Sequence, residues 1–328
     1  MKQKITHPRA MLHFVIAVIF IAGMFFGSMY DLQITSRLSK LTQNADGVYS
    51  ISPGKLALAF ALIGRWTTPF LGAVSFLITE LNLRRKVKEK TRMILFVVFT
   101  VIAAAFMFYG SNKTIEFFAD GKLYIGHWLI ILVMTLTLTF LLRFIVENIP
   151  KKTIHKLFSA ALFTAIAVSV LLISATTLKV IWGRIRLSEL VEANSLDGFT
   201  AWYRPNFFSG SHSFPSGHTA NAALLMLIPL WIGNAPETRR RRSAIYFAAM
   251  AWAAIMGISR LFCGAHYLTD VCCGFLLGFA VVELTYKYYG KTFSDEEPVP
   301  SSDPSPETAE PADVTEEKSE EIKAPVSD

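Results

Sequence analysis

Three short clusters carry the side chains able to do chemistry. Lys179-Val-Ile-Trp-Gly-Arg184-Ile-Arg186 supplies cations, and Ser213-Phe-Pro215-Ser216-Gly217-His218-Thr219 supplies hydroxyls and an imidazole. Ser259-Arg260-Leu-Phe-Cys-Gly-Ala-His266-Tyr-Leu-Thr-Asp270 adds a cation, a second imidazole and a carboxylate. A phosphate group must be neutralised before a nucleophile can approach it, which calls for convergent cations and backbone N–H donors. Lys179, Arg186 and Arg260 meet the first need: guanidinium matches phosphate oxygens in pairs and ammonium acts as a point charge. Ser216 is placed to cap an apolar helix and Gly217 to let backbone approach closely, so the helix N-terminus would face a bound anion. His266 and Asp270 are four residues apart, hence on one helix face. The carboxylate can fix one ring nitrogen and leave the other as nucleophile. His218 can then give a proton to the departing oxygen. Two imidazoles in distinct roles are what a phosphohistidine mechanism needs. Taken singly, a Ser at a helix start is usually only a cap and a His–Asp pair can be structural; order and spacing on one face carry the assignment.

The elements that position these clusters are membrane spans. Of the 328 residues 52% are hydrophobic and 17% charged, with mean hydropathy +0.42, a combination that a water-exposed surface does not allow. The net charge of +7 hides an asymmetry, because residues 291–328 hold 12 acidic side chains against 3 Lys. The basic excess elsewhere sits in short loops and reads as topology, not as nucleic-acid binding. Apolar segments are expected at 11–29, 56–81, 93–109, 124–146, 157–178, 219–232, 243–262 and 268–288. Basic runs at Arg84–Arg92, Lys151–Lys156 and Arg239–Arg242 are placed inside. That charge pattern alone puts all three clusters on the outer face, with both termini cytoplasmic. No A-x-A-like cleavage site follows the first segment, so it reads as an uncleaved span.

The expected fold is therefore all-α, a polytopic bundle of about eight spans. Residues 1–156 hold about four N-terminal spans, with a surface helix expected over 31–48. Residues 157–290 are the catalytic core, and 291–328 form a disordered acidic tail. Arg65 interrupts the second segment and fits either a cavity lining or the solvated end of a tilted helix. Trp202, Tyr203, Phe207 and Phe208 suit a membrane interface. His212 and Ser213 read as loop residues. His13, His127 and His155 read as interface or packing residues, and Cys263, Cys272 and Cys273 as small buried ones.

Together the clusters resemble the type-2 phosphatidic acid phosphatase and vanadium haloperoxidase superfamily. Its pattern is Lys followed seven residues later by Arg-Pro, then Pro-Ser-Gly-His, then Ser-Arg with His six and Asp ten residues after the Arg. Lys179 and Arg186, Pro215 to His218, and Arg260, His266 and Asp270 keep these spacings. Leu187 stands where the family usually has Pro, with Arg184 as an alternative contact. The resemblance covers 157–288 and implies His266 as nucleophile, Asp270 as its orienting partner and His218 as general acid and base. Lys179, Arg186, Ser216, Gly217 and Arg260 become phosphate ligands, and neither metal nor cofactor is implied.

The expected activity is that of an integral-membrane lipid phosphatase in a bacterial-type cytoplasmic membrane, cleaving a phosphate monoester or pyrophosphate of a lipid head group. Phosphatidate, phosphatidylglycerol phosphate, a polyprenyl diphosphate and a lipid A-like phosphate all qualify. The alternatives left open are a lipid-to-acceptor phosphotransferase and a non-hydrolytic transporter or scaffold that binds anionic lipid.

Overall fold

The computed structural model describes residues 7–293, apart from 120 and 234. All but the first three residues of the expected acidic tail lie outside the described residues.

Ten α-helices follow one another: α1 (His7–Leu38), α2 (Lys55–Gly64), α3 (Thr67–Arg84), α4 (Glu89–Phe118), α5 (Ile125–Glu147), α6 (Lys151–Trp182), α7 (Leu187–Glu192), α8 (Gly217–Ala223), α9 (Arg239–Phe262) and α10 (Leu268–Phe293). A small antiparallel hairpin, β1 (Thr42–Gln43) with β2 (Tyr49–Ser50), follows α1. Among the described residues, seven stretches are long and apolar enough to cross a membrane, α2 and α3 counting as one. About 20 apolar residues suffice for a span. The chain is thus an all-α polytopic bundle and an integral membrane protein.

Two expectations change. The segment at Gly217–Ile232 is shorter than a span, and after α8 it tightens into a 3-10 helix, Leu224–Ile232, that contains Pro229. It is buried among other helices, with Leu224, Met226 and Leu227 at 0% exposure. Among the described residues, seven long apolar stretches and one short one thus stand where about eight spans were expected. The surface helix expected over 31–48 is also absent. The helical spacing of Leu32, Ile34 and Leu38 belongs to the last turns of α1, whose Asp31 and Thr35 are buried, and β1 and β2 take up the rest.

Two apolar cores share α6. Ala160, Ala167, Val168 and Leu171 of α6 pack with α8, the 3-10 segment, α9 and α10, and Ile16 of α1 joins them. Ile154 and Ala161 of the same helix pack with α3, α4 and α5. Small residues serve this role because in lipid, helix association depends on close backbone approach. The expected boundary at residue 156 is crossed repeatedly, since α1 packs on α10, α2 on α9, and α3 on α6 and α8.

Glycines on α10 set the tightest approach. A Cβ at Gly274 would stand 2.4 Å from the Ser216 carbonyl oxygen, and one at Gly278 2.6 Å from that of Ala220. This small-xxx-small pair lets α10 lie directly against α8.

Candidate active site

The site lies where α6 ends, α8 begins, α9 ends and α10 begins. Gly183 terminates α6 in the left-handed region (φ 56°), and a Cβ there would stand 2.0 Å from the Asn206 carbonyl oxygen. The turn lets the chain double back, so that Lys179 and Arg186 serve one place from opposite sides of the bend. Lys179 Nζ donates to the His212 carbonyl at 2.7 Å, and Arg186 Nη2 approaches the same oxygen at 3.4 Å. The Lys179 side chain also lies against Gly217, where Cε would be 3.4 Å from an added Cβ.

The N-termini of α8 and α10 are joined. The Ser216 N–H donates to the Asp270 carbonyl at 2.9 Å, which puts Ser216, Gly217 and His218 beside the start of α10. Gly257 of α9 closes the third side, its missing Cβ leaving room for Val271 and Thr219. Arg260, 3% exposed, is held by its neighbour and by α2: Nη2 donates to Ser259 Oγ and to the Ala57 carbonyl, both at 3.0 Å.

His266 is 4% exposed, and its Nδ1 stands 3.6 Å from Asp270 Oδ2. That is an ion-pair distance, a step longer than a hydrogen bond. The same carboxylate oxygen accepts from Ser213 Oγ at 2.5 Å and from the Tyr267 N–H at 2.9 Å. Burial pushes the His266 ring down to about 4, with Lys179 and Arg186 acting in the same sense and the Asp270 carboxylate opposing. A ring so placed is neutral near pH 7, the state a nitrogen nucleophile needs. His218 lies within electrostatic reach of Arg260, Arg65, Lys179 and the His266 ring. Buried nitrogens without a hydrogen-bond partner include His218 Nε2, His266 Nδ1 and Arg186 Nε. The arrangement can surround an anion with cations, offer it backbone N–H groups at the start of α8, and face it with two imidazoles.

All eight residues expected from the sequence fall at this one junction. Arg184, the alternative phosphate contact, does not point to it. It is 1% exposed and its guanidinium donates to Asp270 Oδ1 at 2.6 Å and to Asp31 Oδ2 at 2.9 Å. Ser213, read as a loop residue, is fully buried on Asp270, and His212 contributes its carbonyl to two cations. Arg65 is half-buried. It sits at the break between α2 and α3, next to Gly64, whose added Cβ would stand 3.0 Å from His218 Cδ2. Its guanidinium covers the Phe117 ring at 4.7 Å.

Residues 157–294 match the family model described as PAP2 superfamily. That stretch, under half of the chain, is what is similar to the PAP2 superfamily. Phosphatidylglycerophosphatase B of Bacillus subtilis (strain 168) is 32% identical over 100 residues, which are 30% of this chain and 49% of that protein. The chain thus spans about half the length of that curated relative, and no solved structure matches. The matched stretch contains all eight catalytic and phosphate-binding candidates named from the sequence. It does not contain Asp31, Ala57 or Arg65, which α1, α2 and the joint after α2 bring to its edge. Sequence reasoning missed Asp31 because it was assigned to a surface helix. The available signal was Gly23-Met-Phe-Phe-Gly27 in the first span, with Asp31 one turn further along the same face.

Proposed function

We propose that this protein is a lipid phosphatase that removes a phosphate from a lipid head group through a phosphohistidine. The observation that carries the reading is the joined pair of helix N-termini. It sets His218 and His266 beside one another, with Lys179, Arg186 and Arg260 around them. In the first step a lone pair of His266 forms an N–P bond, the ester or anhydride P–O bond breaks, and His218 protonates the departing oxygen. In the second step His218 takes a proton from water, whose oxygen attacks phosphorus and releases His266 and phosphate. Lys179, Arg186, Arg260 and the N–H groups of Ser216 and Gly217 hold the oxygens as charge builds. Asp270 stabilises the ring while it carries phosphate.

The site opens at the helix ends opposite to the basic runs at 84–92, 151–156 and 239–242, so we place it on the outer face, with the termini inside. The name of the Bacillus relative makes phosphatidylglycerophosphate the first substrate to try, followed by phosphatidate and a polyprenyl diphosphate. Purified full-length protein should release phosphate from at least one, and His266→Ala should lower that rate by about 10^3-fold or more. Equal release by wild type and His266→Ala on all three overturns the proposal. Hydrolysis should also trap an acid-labile phosphoryl group that is absent from His266→Ala.

A further inference from the structure

From outside the stretch that matches the PAP2 family, the Asp31 carboxylate reaches Arg184, the ion-pair partner of Asp270. Asp31 stands in the last third of α1 and is 3% exposed. Two glycines bring it there. A Cβ at Gly23 would stand 2.7 Å from Cys272 Sγ, and one at Gly27 would stand 2.6 Å from Thr269 Cγ2, so α1 lies directly on the first turns of α10. One turn beyond Gly27, Asp31 Oδ1 accepts from the Thr269 N–H at 3.0 Å. Its Oδ2 accepts from the Thr269 hydroxyl and, at 2.9 Å, from Arg184 Nη2.

Arg184 is the link onward. Nε donates to the Thr200 carbonyl at 2.8 Å, Nη1 to Thr269 Oγ1 at 2.8 Å and to Asp270 Oδ1 at 2.6 Å. Its plane lies over the Tyr267 ring at 4.2 Å. The guanidinium is therefore held between two carboxylates, one from α1 and one from α10. That division matters for Asp270, which has two duties. One oxygen is tied to Arg184, and the other must stay with Ser213, the Tyr267 N–H and His266 Nδ1. With Asp31 gone, Arg184 would have a single anion in a buried site, and a guanidinium fork prefers to take both oxygens of a lone carboxylate. The Oδ2 atom would then turn from His266, already 3.6 Å away.

We propose that Asp31 is a positioning residue of the phosphatase site: by occupying one side of Arg184 it keeps an Asp270 oxygen aimed at His266. The inference rests on the phosphohistidine reading above. It makes α1 part of the enzyme rather than an added anchor, since the site is incomplete without a carboxylate from outside the matched stretch. Asp31 touches no phosphate ligand in Lys179, Arg186, Arg260 or the start of α8, so its loss should act on kcat and spare KM.

The test uses full-length protein in detergent and whichever of the three lipids wild type turns over fastest. Asp31→Asn should lower kcat by about 10–100-fold, the scale of a misplaced catalytic group, with KM within about threefold of wild type. Asp31→Glu, which restores the charge, should recover part of the loss. In an Asp270→Asn background, Asp31→Asn should cost less than about twofold, because the group it positions is no longer there. A role confined to capping α10 would lower the melting temperature, leave kcat unchanged and cost the same in both backgrounds, and that result overturns the proposal. Should Asp31→Asn fail to fold, Thr269→Val removes the hydroxyl bridging Asp31 and Arg184 without removing charge. It should lower kcat by about 3–10-fold, again only while Asp270 is present. Unchanged kcat in Thr269→Val would then count against the proposal. If His266→Ala is as active as wild type, the phosphohistidine reading itself has failed, which is a different outcome from an inactive His266→Ala beside a fully active Asp31→Asn.

Discussion

Among the described residues, two ion networks built on buried carboxylates have opposite characters. At the far ends of α3 and α5, Glu80 (0% exposed) pairs with Arg143 at 2.8 Å and Arg84 at 3.1 Å, and Glu147 meets Arg84 at 2.7 Å and Arg143 at 3.3 Å. Two acids and two bases close on one another, with Arg143 lying over the Phe96 ring at 4.1 Å. At the other end of the molecule, two carboxylates share one guanidinium in Asp31–Arg184–Asp270, and the network runs on to an imidazole. An ionisable group within a span is by default a functional candidate because burying it is costly. The contrast refines that rule. The Glu80 network ends on itself and joins two helices, whereas the Asp270 network ends on a ring that lies near Lys179, Arg186 and the joined helix N-termini.

The sharpest way to break the comparison is to remove one acid from each network. Asp270→Asn keeps the shape of the side chain but weakens its hold on His266, and the cost should be about 10^2–10^4 in kcat, as for other carboxylates that orient a catalytic imidazole. Phosphate release at saturating lipid measures it. A loss under about tenfold would mean that His266 needs no orienting carboxylate and that the two networks are alike. Acid sharpens the comparison more gently. With its ring pushed down to about 4, His266 stays neutral from pH 7 to pH 5, and its neutral form is lost only as pH falls through about 4. Histidine ring NMR, with the His266 signal assigned by its absence in His266→Gln, should show no titration above pH 5. A ring that titrates near 6.5, the unperturbed value, would contradict the buried environment.

The site was more legible in the sequence than the bundle that holds it. Lys179, Arg186, His218, Arg260, His266 and Asp270 were readable because their spacing falls within short stretches, where helix geometry and chain connectivity leave few arrangements. Arg184 was misread because its neighbours suggested a phosphate ligand, and only the left-handed turn at Gly183 sends it inward. Ser213 looked like loop for the same reason: no periodicity marks a hydroxyl whose partner is 57 residues away. Asp31 is 153 residues from Arg184, a contact that follows from α1 docking on α10 and from nothing local. The short sixth segment was hidden because hydropathy counts apolar residues and does not register that Pro229 and 3-10 geometry make a buried segment rather than a span.

Glu80→Gln is the counterpart of Asp270→Asn, and its effect on turnover should be the smallest. Glu80 stands fifteen residues along the chain from Arg65, about 22 Å of helix rise, so the site lies well beyond its direct influence. Neutralising Glu80 leaves Arg84 and Arg143 to share Glu147, which is partly exposed. Breaking a buried pair costs about 3–5 kcal/mol, and the remaining acid offsets part of that here, so the melting temperature should fall. Below the new transition, kcat and KM should stay within about twofold of wild type, because α6 and α8 to α10 hold the site with their own core. If turnover instead drops tenfold in protein that is still folded, the two networks are coupled along α3 and the charged end of the bundle regulates the catalytic one.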